Sequence, residues 1–367
     1  MTHVIHEETE NGLAAYAPYV NEMNLWLKHV DTVEVVAPLQ ASNAKKQTLS
    51  TAYKHRSISL SQIPEFSLVG IRNGFKTLIK LPKVAYKIWR SCKKADHIHL
   101  RCPGNVGLVG CVVQIFFPSK TKTAKYAGNW DPKSKQPWSY RLQKRILSNT
   151  FLTKNMKVLA YGDWPNQTKN VLPFFTATYS EIEKTAISLR PLNDTVRFMF
   201  VGTLSVGKRP VLAAEIIARL HKEGHQVRMD VYGEGEMRDD LMQFIQLNNL
   251  EEVIMLHGNR SKEEVSKAYK NAHFVFLLSR SEGWPKAIAE AMFWGAVPVA
   301  TEVSCVPYML DNGNRGILIA PNISAAIEEI TQLFNKKERY LQMAEAAMQW
   351  SRQYTLEKFE TEIKKLL

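Results

Sequence analysis

The sequence is poor in several features, and each shortage closes off a class of protein. Only four cysteines occur in 367 residues, Cys92, Cys102, Cys111 and Cys305, and none shares a ligand-like spacing with another. That excludes a disulfide-built scaffold and a zinc ribbon, and it fits free thiols in a reducing compartment. No Asp-x-Asp is present, so the usual carboxylate pair for a metal–diphosphate complex is missing. The longest apolar stretch, Val106–Pro118, contains Gln114 and falls short of the roughly 20 residues that a spanning helix needs. The opening MTHVIHEETENG lacks the basic start and apolar core of a secretory signal. The expected location is the cytoplasm, or the inner face of the cytoplasmic membrane as a peripheral protein. Zinc-finger spacing, aromatic RNA-binding signatures and a helix-turn-helix pattern are all missing. Nucleic acid is therefore not an expected partner, and polyanion binding remains only as a reading of a different class.

Acidic residues are scarce in one region. Residues 43–160 hold three acids against 23 bases. Residues 1–175 carry 25 basic and 10 acidic side chains, a balance of +15, whereas the remainder carries 23 and 25, a balance of −2, so all of the net +13 comes from the first half. A field of one sign attracts polyanions or anionic membrane surfaces. It also reads as a well-solvated basic surface.

What is present is an ordinary globular composition, 45% hydrophobic and 23% charged, at a length that suits two domains. Short β-branched runs alternate with helical stretches, the pattern of parallel α/β layers. In the first half, Val33–Pro38, His97–Leu100, Thr123–Tyr126 and Lys157–Tyr161 read as strands. A short N-terminal strand is expected at His3–His6, leading to Asn11-Gly12 as the first loop. From Val196 the alternation restarts. Strands are expected at Val196–Val201, Val227–Tyr232, Val253–Leu256, Phe274–Leu278 and Ala296–Ala300. Helices are expected at Pro210–Gly224, Met237–Leu247, Lys262–Lys270 and Pro285–Phe293. The expected organisation is a first Rossmann-like domain over 1–175, a connection over 176–195 and a second Rossmann-like domain over 196–345. A helical tail follows over 346–367, for which packing back on the first domain is one expectation.

Three loops at the carboxyl ends of second-half strands carry unusual chemistry, and that edge is where open parallel sheets bind ligands. Gly202–Lys208 pairs glycine with a lysine, which lets a phosphate approach the backbone and meet a point charge. The same text also fits an ordinary strand-to-turn connection. Ser279–Glu290 is more specific. The amides of Gly283 and Trp284, the helix opening at Pro285 and the charge of Lys286 make an anion site. Glu282 lies beside that site, where a carboxylate suits sugar hydroxyls better than phosphate. Glu290 follows about two turns later, where it suits a diol such as a ribose or stands as an ordinary exposed helix glutamate. Ala300–Pro307 is a third polar loop, which also reads as a plain connection.

Taken together, FVGTLSVGKRP, VYGEGEMRDDL, LHGNRSKEEV, LLSRSEGWPKAIAEAMFWGAVPVAT and RGILI resemble the donor-binding half of family-4 glycosyltransferases, in that family's order and spacing. Glu282 and Glu290 match its E-x7-E motif. The first half is similar to the acceptor side of bacterial members that build surface polysaccharides. The resemblance implies two doubly wound domains facing a central cleft, the GT-B fold, and a retaining hexosyltransferase that uses a nucleotide-sugar. It implies that Glu282 faces the reacting carbon and that Glu290 holds the ribose. Lys208 would bind the diphosphate with the amides of Gly202 and Gly283–Lys286. His257–Arg260, and within it Arg260, would lie near the nucleobase.

Two departures from the family pattern stand out. The arginine expected directly after the first glycine of the phosphate loop is Thr203 here, with Arg209 or Lys286 as candidate replacements. The histidine expected in a first-domain loop is absent from Lys125–Trp130, where Asn129 offers a hydrogen bond but no base. Asn11, Gly12 and Asn129 are the acceptor-side candidates. His3, His6, His97 and His99 are read as packing or surface residues. The expected mechanism is metal-independent and needs no cofactor, with a glycan or lipid-linked acceptor. A catalytically impaired, nucleotide-sugar-binding relative is the alternative. Finally, Gly74–Ala95 mixes Lys and Arg with Leu, Ile, Val and Trp. It suits an anionic leaflet as two short helices broken at Pro82, or a surface helix with its lysines in water.

Overall fold

Strand runs that are apolar throughout, such as Phe274–Leu277 and Val297–Thr301, are buried on both faces. Such strands pair in parallel, with helices covering both sides of the sheet. The computed structural model describes residues 1–40, 50–66, 71–193 and 195–367, with the backbone alone for 71–78. The side chains of Gly74–Leu78, within the basic segment, and Asp194, within the expected connection, lie outside the described residues. The chain divides into two units, Met1–Phe175 with Phe359–Leu367, and Thr176–Lys358.

In the first unit, β1 (His6–Thr9) and β2 (Gly12–Tyr16) form an antiparallel hairpin, followed by α1 (Ala17–Leu27) and β3 (Val33–Pro38). Next come β4 (Ser50–Ala52), which extends the hairpin, and β5 (Ile58–Ile63), which pairs parallel with β3. The long helix α2 (Ile71–Lys94) leads to β6 (His97–Cys102), α3 (Asn105–Val113) and β7 (Thr121–Tyr126). Then α4 (Trp138–Leu147), β8 (Met156–Tyr161) and β9 (Val171–Phe174) complete a parallel β6-β7-β8-β9 sheet. The core, with Val84, Ile88, Leu100, Ala124 and Val158, lies between this sheet and α2 and α3.

Two expectations for this half change. Residues 1–5 run between β3 and β6: Thr2 N–H donates to Val36 O (3.1 Å) and Arg101 N–H donates to Met1 O (3.0 Å). The assigned strand begins only at His6. Asn11 and Gly12 sit at the corner of the antiparallel hairpin that follows this extended segment. The physical reason is local, since Asn-Gly is a favoured hairpin corner and Gly12 adopts a φ of +98°. The second change is at Pro82, where α2 continues as one helix. An internal proline costs about 3 kcal/mol. Burial of Val84, Ile88 and Cys92 on the next turns offsets it.

The second unit is a six-stranded all-parallel sheet. In chain order it comprises β10 (Val196–Val201), α5 (Pro210–Lys222), β11 (Val227–Tyr232), α6 (Arg238–Leu247), β12 (Ile254–Gly258) and α7 (Lys262–Asn271). It continues with β13 (Phe274–Leu277), α8 (Lys286–Phe293), β14 (Val297–Thr301), α9 (Val306–Met309), β15 (Ile317–Ile319), α10 (Ile323–Asn335) and α11 (Lys337–Ser351). The strand order is β12-β11-β10-β13-β14-β15. Phe198 on β10 stacks on Phe274 and Phe276 of β13, each at 5.1 Å, and pins the central strand pair.

Residues 176–193, read as a connection, pack within this unit. The Arg190 guanidinium donates to the carbonyls of Lys270, Ala272 and Trp294. The tail is broken at 352–355, after which α12 (Leu356–Lys364) runs from the second unit into the first. Within the first unit, Phe359 packs on Phe174 and Phe175.

Candidate active site

In the six-stranded sheet the winding reverses between β10 and β13, which is where a doubly wound sheet opens a crevice at its carboxyl edge. The loops that follow those two strands carry Lys208 and Glu282. Their shape is set by close backbone packing. Gly202 has a φ of +146° and its N–H donates to Tyr232 O (2.9 Å). A Cβ on Gly233 would fall 1.9 Å from Gly202 O, and one on Gly235 would fall 2.4 Å from Leu204 O. Only glycines allow the loops after β10 and β11 to meet this way. The chain then turns through Lys208, whose N–H donates to Ser205 O (3.0 Å), and Arg209 at a φ of +54°, before Pro210 opens α5.

This turn brings charged groups together. Lys208 Nζ donates to Glu282 Oε1. The two loops are also tied through their backbones, because Arg280 N–H donates to Gly207 O (2.9 Å). Arg209 Nη1 donates to Leu278 O at 3.0 Å, at the end of β13. Partial burial first, and then the neighbouring Arg280, lower its pKa. Lys208 thus pairs with a carboxylate at the crevice, and Arg209 and Arg280 stand on the same two loops.

Gly283 accepts hydrogen bonds at its carbonyl from Ser304 Oγ (3.3 Å) and Cys305 Sγ (3.2 Å), which fixes the loop from the β14 side. Trp284 is buried beside Trp350 and Tyr354. Pro285 is the N-cap of α8, and no side chain caps that helix start. The amides and dipole of that helix start are the kind of end that attracts an anion.

Glu290 is not an exposed helix glutamate. Its carboxylate accepts from Thr178 Oγ1 (2.8 Å) and Tyr269 OH (3.4 Å). Burial raises its pKa, opposed by the Thr178 hydrogen bond and by the charge of Lys286. Lys286 lines one small recess with Glu290, Thr178, Tyr179 and Tyr354. No hydrogen bond or ion pair links Lys286 to Glu282 among the described contacts.

At the ends of β11 and β12, His257 Nε2 hydrogen-bonds Asp230 Oδ1 (2.6 Å), and its ring stacks on Tyr232 (4.5 Å, 10°). Arg260 is half-exposed and stands 3.9 Å from Glu264. It is not brought into contact with the Lys208 group. In the first unit, Asn129 is buried, with its Oδ1 accepting from Asp131 N–H (2.9 Å) and its carbonyl accepting from Gln136 Nε2 (2.6 Å). Its side chain thus helps to hold the loop after β7. The first unit also has a cavity of about 780 Å³ at the amino ends of β3 and β6, lined by Trp26, His97 and His99, at the opposite edge from the carboxyl ends. Among the described residues, no three His, Cys, Asp or Glu side chains gather as metal ligands would.

Reading the sequence missed Arg280, Thr178, Tyr269 and Asp230. Arg280 sits inside the motif text and was recognisable as a cation next to Glu282. Thr178 and Tyr269 reach Glu290 from 112 and 21 residues away, and no local pattern marks them.

Residues 182–350 match the family described as Glycosyl transferases group 1. The poly(ribitol-phosphate) alpha-N-acetylglucosaminyltransferase of Staphylococcus aureus (strain COL) is 27% identical over 157 residues, 42% of this chain and 31% of that protein. The amylovoran biosynthesis glycosyltransferase AmsK of Erwinia amylovora is 27% identical over 195 residues, 45% of this chain and 48% of that one. The matched stretches span less than half the length of these relatives. The crystal structure of Anabaena HepE in complex with UDP superposes with a TM-score of 0.67 at 15% identity, covering 100% of this chain and 99% of that one. Residues 182–350, with the doubly wound sheet that carries them, are thus similar to the group 1 glycosyltransferases, and the fold is the GT-B fold of the structures it superposes on.

Proposed function

We propose that this chain moves a sugar from a nucleotide-diphosphate sugar to a glycan or lipid-linked acceptor with retained anomeric configuration. We assign it to capsule, lipopolysaccharide or exopolysaccharide synthesis in the cytoplasm. The observation that carries the reading is the Lys208–Glu282 pair at the strand-order reversal, with Arg209 and Arg280 on the same loops. When a donor enters, its diphosphate competes for Lys208 and its sugar hydroxyls compete for Glu282. The pair separates onto the two halves of one ligand. Glu290, held by hydroxyl groups of Thr178 and Tyr269, presents acceptor oxygens of the kind a ribose diol uses. The names of the relatives, with amylovoran biosynthesis among them, support the polysaccharide assignment.

In the reaction the bond between the anomeric carbon and the diphosphate oxygen breaks, through an oxocarbenium-like state. The acceptor oxygen bonds to the same face, and its proton passes to the departing phosphate oxygen. The charge left on the diphosphate falls to Lys208, Arg209, Arg280, Lys286 and the open end of α8. We propose that Arg209 supplies the cation that Thr203 does not, and that no metal or cofactor is required. The decisive assay is transfer from a panel of UDP-, GDP- and ADP-sugars with excess chelator, with the product anomer read by NMR. An inverted product refutes retention. Activity lost to chelator and restored only by Mg²⁺ or Mn²⁺ refutes the metal-free reading. Nucleotide binding without transfer to any acceptor would instead favour the impaired relative, which Thr203 and the engaged Asn129 side chain speak for.

A further inference from the structure

The helix α2 has no acidic residue between Ile71 and Lys94. One side of it is settled, since Val84, Ile88 and Cys92 are buried in the first unit's core. The other side is unusual. At about 100° per residue, Ile79, Lys83, Tyr86, Arg90 and Lys93 fall within a sector of roughly 80°. All five are exposed, Ile79 at 78% and Tyr86 at 65%. Trp89 stands at the margin of that sector, 41% exposed, with its ring 5.9 Å from Phe116, which is itself 64% exposed. Val112 on α3 is exposed nearby in sequence.

The outward face of α2 therefore interleaves large apolar side chains with cations. A face meant only for water keeps the cations and drops the apolar groups. A protein interface drops charge from its centre. A face that mixes both, with an aromatic ring at its edge and no carboxylate, matches the boundary between lipid headgroups and acyl chains.

We propose that this face docks on an anionic lipid bilayer. Ile79, Tyr86, Trp89 and Phe116 enter the headgroup boundary, and Lys83, Arg90 and Lys93 engage the lipid phosphates. Docking is a property of the first unit's surface and does not depend on the transfer reaction proposed above.

The test is flotation of the full chain with vesicles of phosphatidylcholine alone and of phosphatidylcholine mixed with phosphatidylglycerol. Binding to the mixed vesicles, weakened by salt, is expected. Lys83→Glu, Arg90→Glu and Lys93→Glu together should weaken it by at least about tenfold. Trp89→Ser with Phe116→Ser should abolish the part of binding that survives high salt. These side chains lie outside the donor site, so thermal stabilisation by nucleotide should be unchanged and reports that the variants fold. No flotation with mixed vesicles overturns the proposal, as does equal flotation of the charge-reversed variant. Salt-sensitive retention of the chain on RNA, lost in the same variants while vesicle binding is not, would assign the face to nucleic acid instead. Failure of any of these leaves the glycosyl-transfer reading untouched, because no donor or acceptor enters the measurement.

Discussion

The Lys208–Glu282 pair and the Glu290 cluster make separate demands on single residues. Glu282→Gln keeps size and hydrogen-bonding capacity but removes the charge that, in the proposed reaction, faces the reacting carbon. Under the proposed role, a fall in kcat on the order of 10²-fold is expected, with little change in UDP affinity measured by calorimetry. Lys208→Met should do the reverse, weakening UDP binding by roughly tenfold or more as a charge-assisted hydrogen bond is lost. Glu290 adds a pH dependence. Burial raises its pKa, so the folded chain binds that proton more tightly than the unfolded chain does. Ionisation then costs stability, a cost absent below the unfolded value of 4.5 and complete above the raised folded value. Glu290→Gln removes the cost. Its melting temperature should equal or exceed that of the parent at pH 8 and converge with it as pH falls below 4.5, while UDP affinity drops. A parallel offset at every pH would contradict the buried, proton-hungry carboxylate.

At the level of elements, the loops after β10 and β11 hold the site because glycine lets two backbones touch. Gly233→Ala places a methyl group 1.9 Å from a carbonyl oxygen at a φ of +140°, so it should cost about 2 kcal/mol or more in denaturant unfolding. Gly224→Ala, also at positive φ but with open space around it, should cost only about 1 kcal/mol. The contrast separates backbone approach from conformational strain. The glycines after β10 and β11 marked where the chain turns, but the same text also fits an ordinary connection, and the contact between the two loops is set by the fold. The central strands β13 and β14 were plainer, because their apolar runs leave little choice of partner face. The first unit was harder to read. Residues 1–5 are extended between β3 and β6 without forming a regular ladder, so the strand-like text of His3–His6 marked the right region but the wrong element. Asn11-Gly12 carries a strong turn signal, and the turn it makes is the corner of the β1–β2 hairpin. Pro82 was given the weight of an isolated-helix breaker, whereas tertiary burial of Val84 and Ile88 decides the matter. The partners of Glu290 were invisible because Thr178 and Tyr269 meet it only through the fold.

At the scale of the whole molecule, charge and chemistry are divided along the chain. All of the excess positive charge comes from residues 1–175, whereas the group around Glu282 lies after them, in a half whose balance is close to neutral. A donor bound as proposed would therefore meet local cations, Lys208, Arg209 and Arg280 on two loops, rather than a general field. A consequence follows for salt and metal. Nucleotide diphosphate binding should weaken only modestly between low and physiological ionic strength, because a few direct contacts are screened less than a broad surface field. It should also survive chelation, because those cations are covalently part of the chain. The measurement is thermal unfolding of the intact chain against UDP, GDP, ADP and CMP, each with and without excess EDTA. The matching diphosphate at a hundredfold excess over its Kd adds about 2.7 kcal/mol of stability. That shift is expected for one base above the others, and for its diphosphate far more than for CMP. It should be the same with EDTA present. A shift that vanishes with chelator would mean that the three side-chain cations do not suffice for the diphosphate, and would point to a bound cation that the binding step recruits.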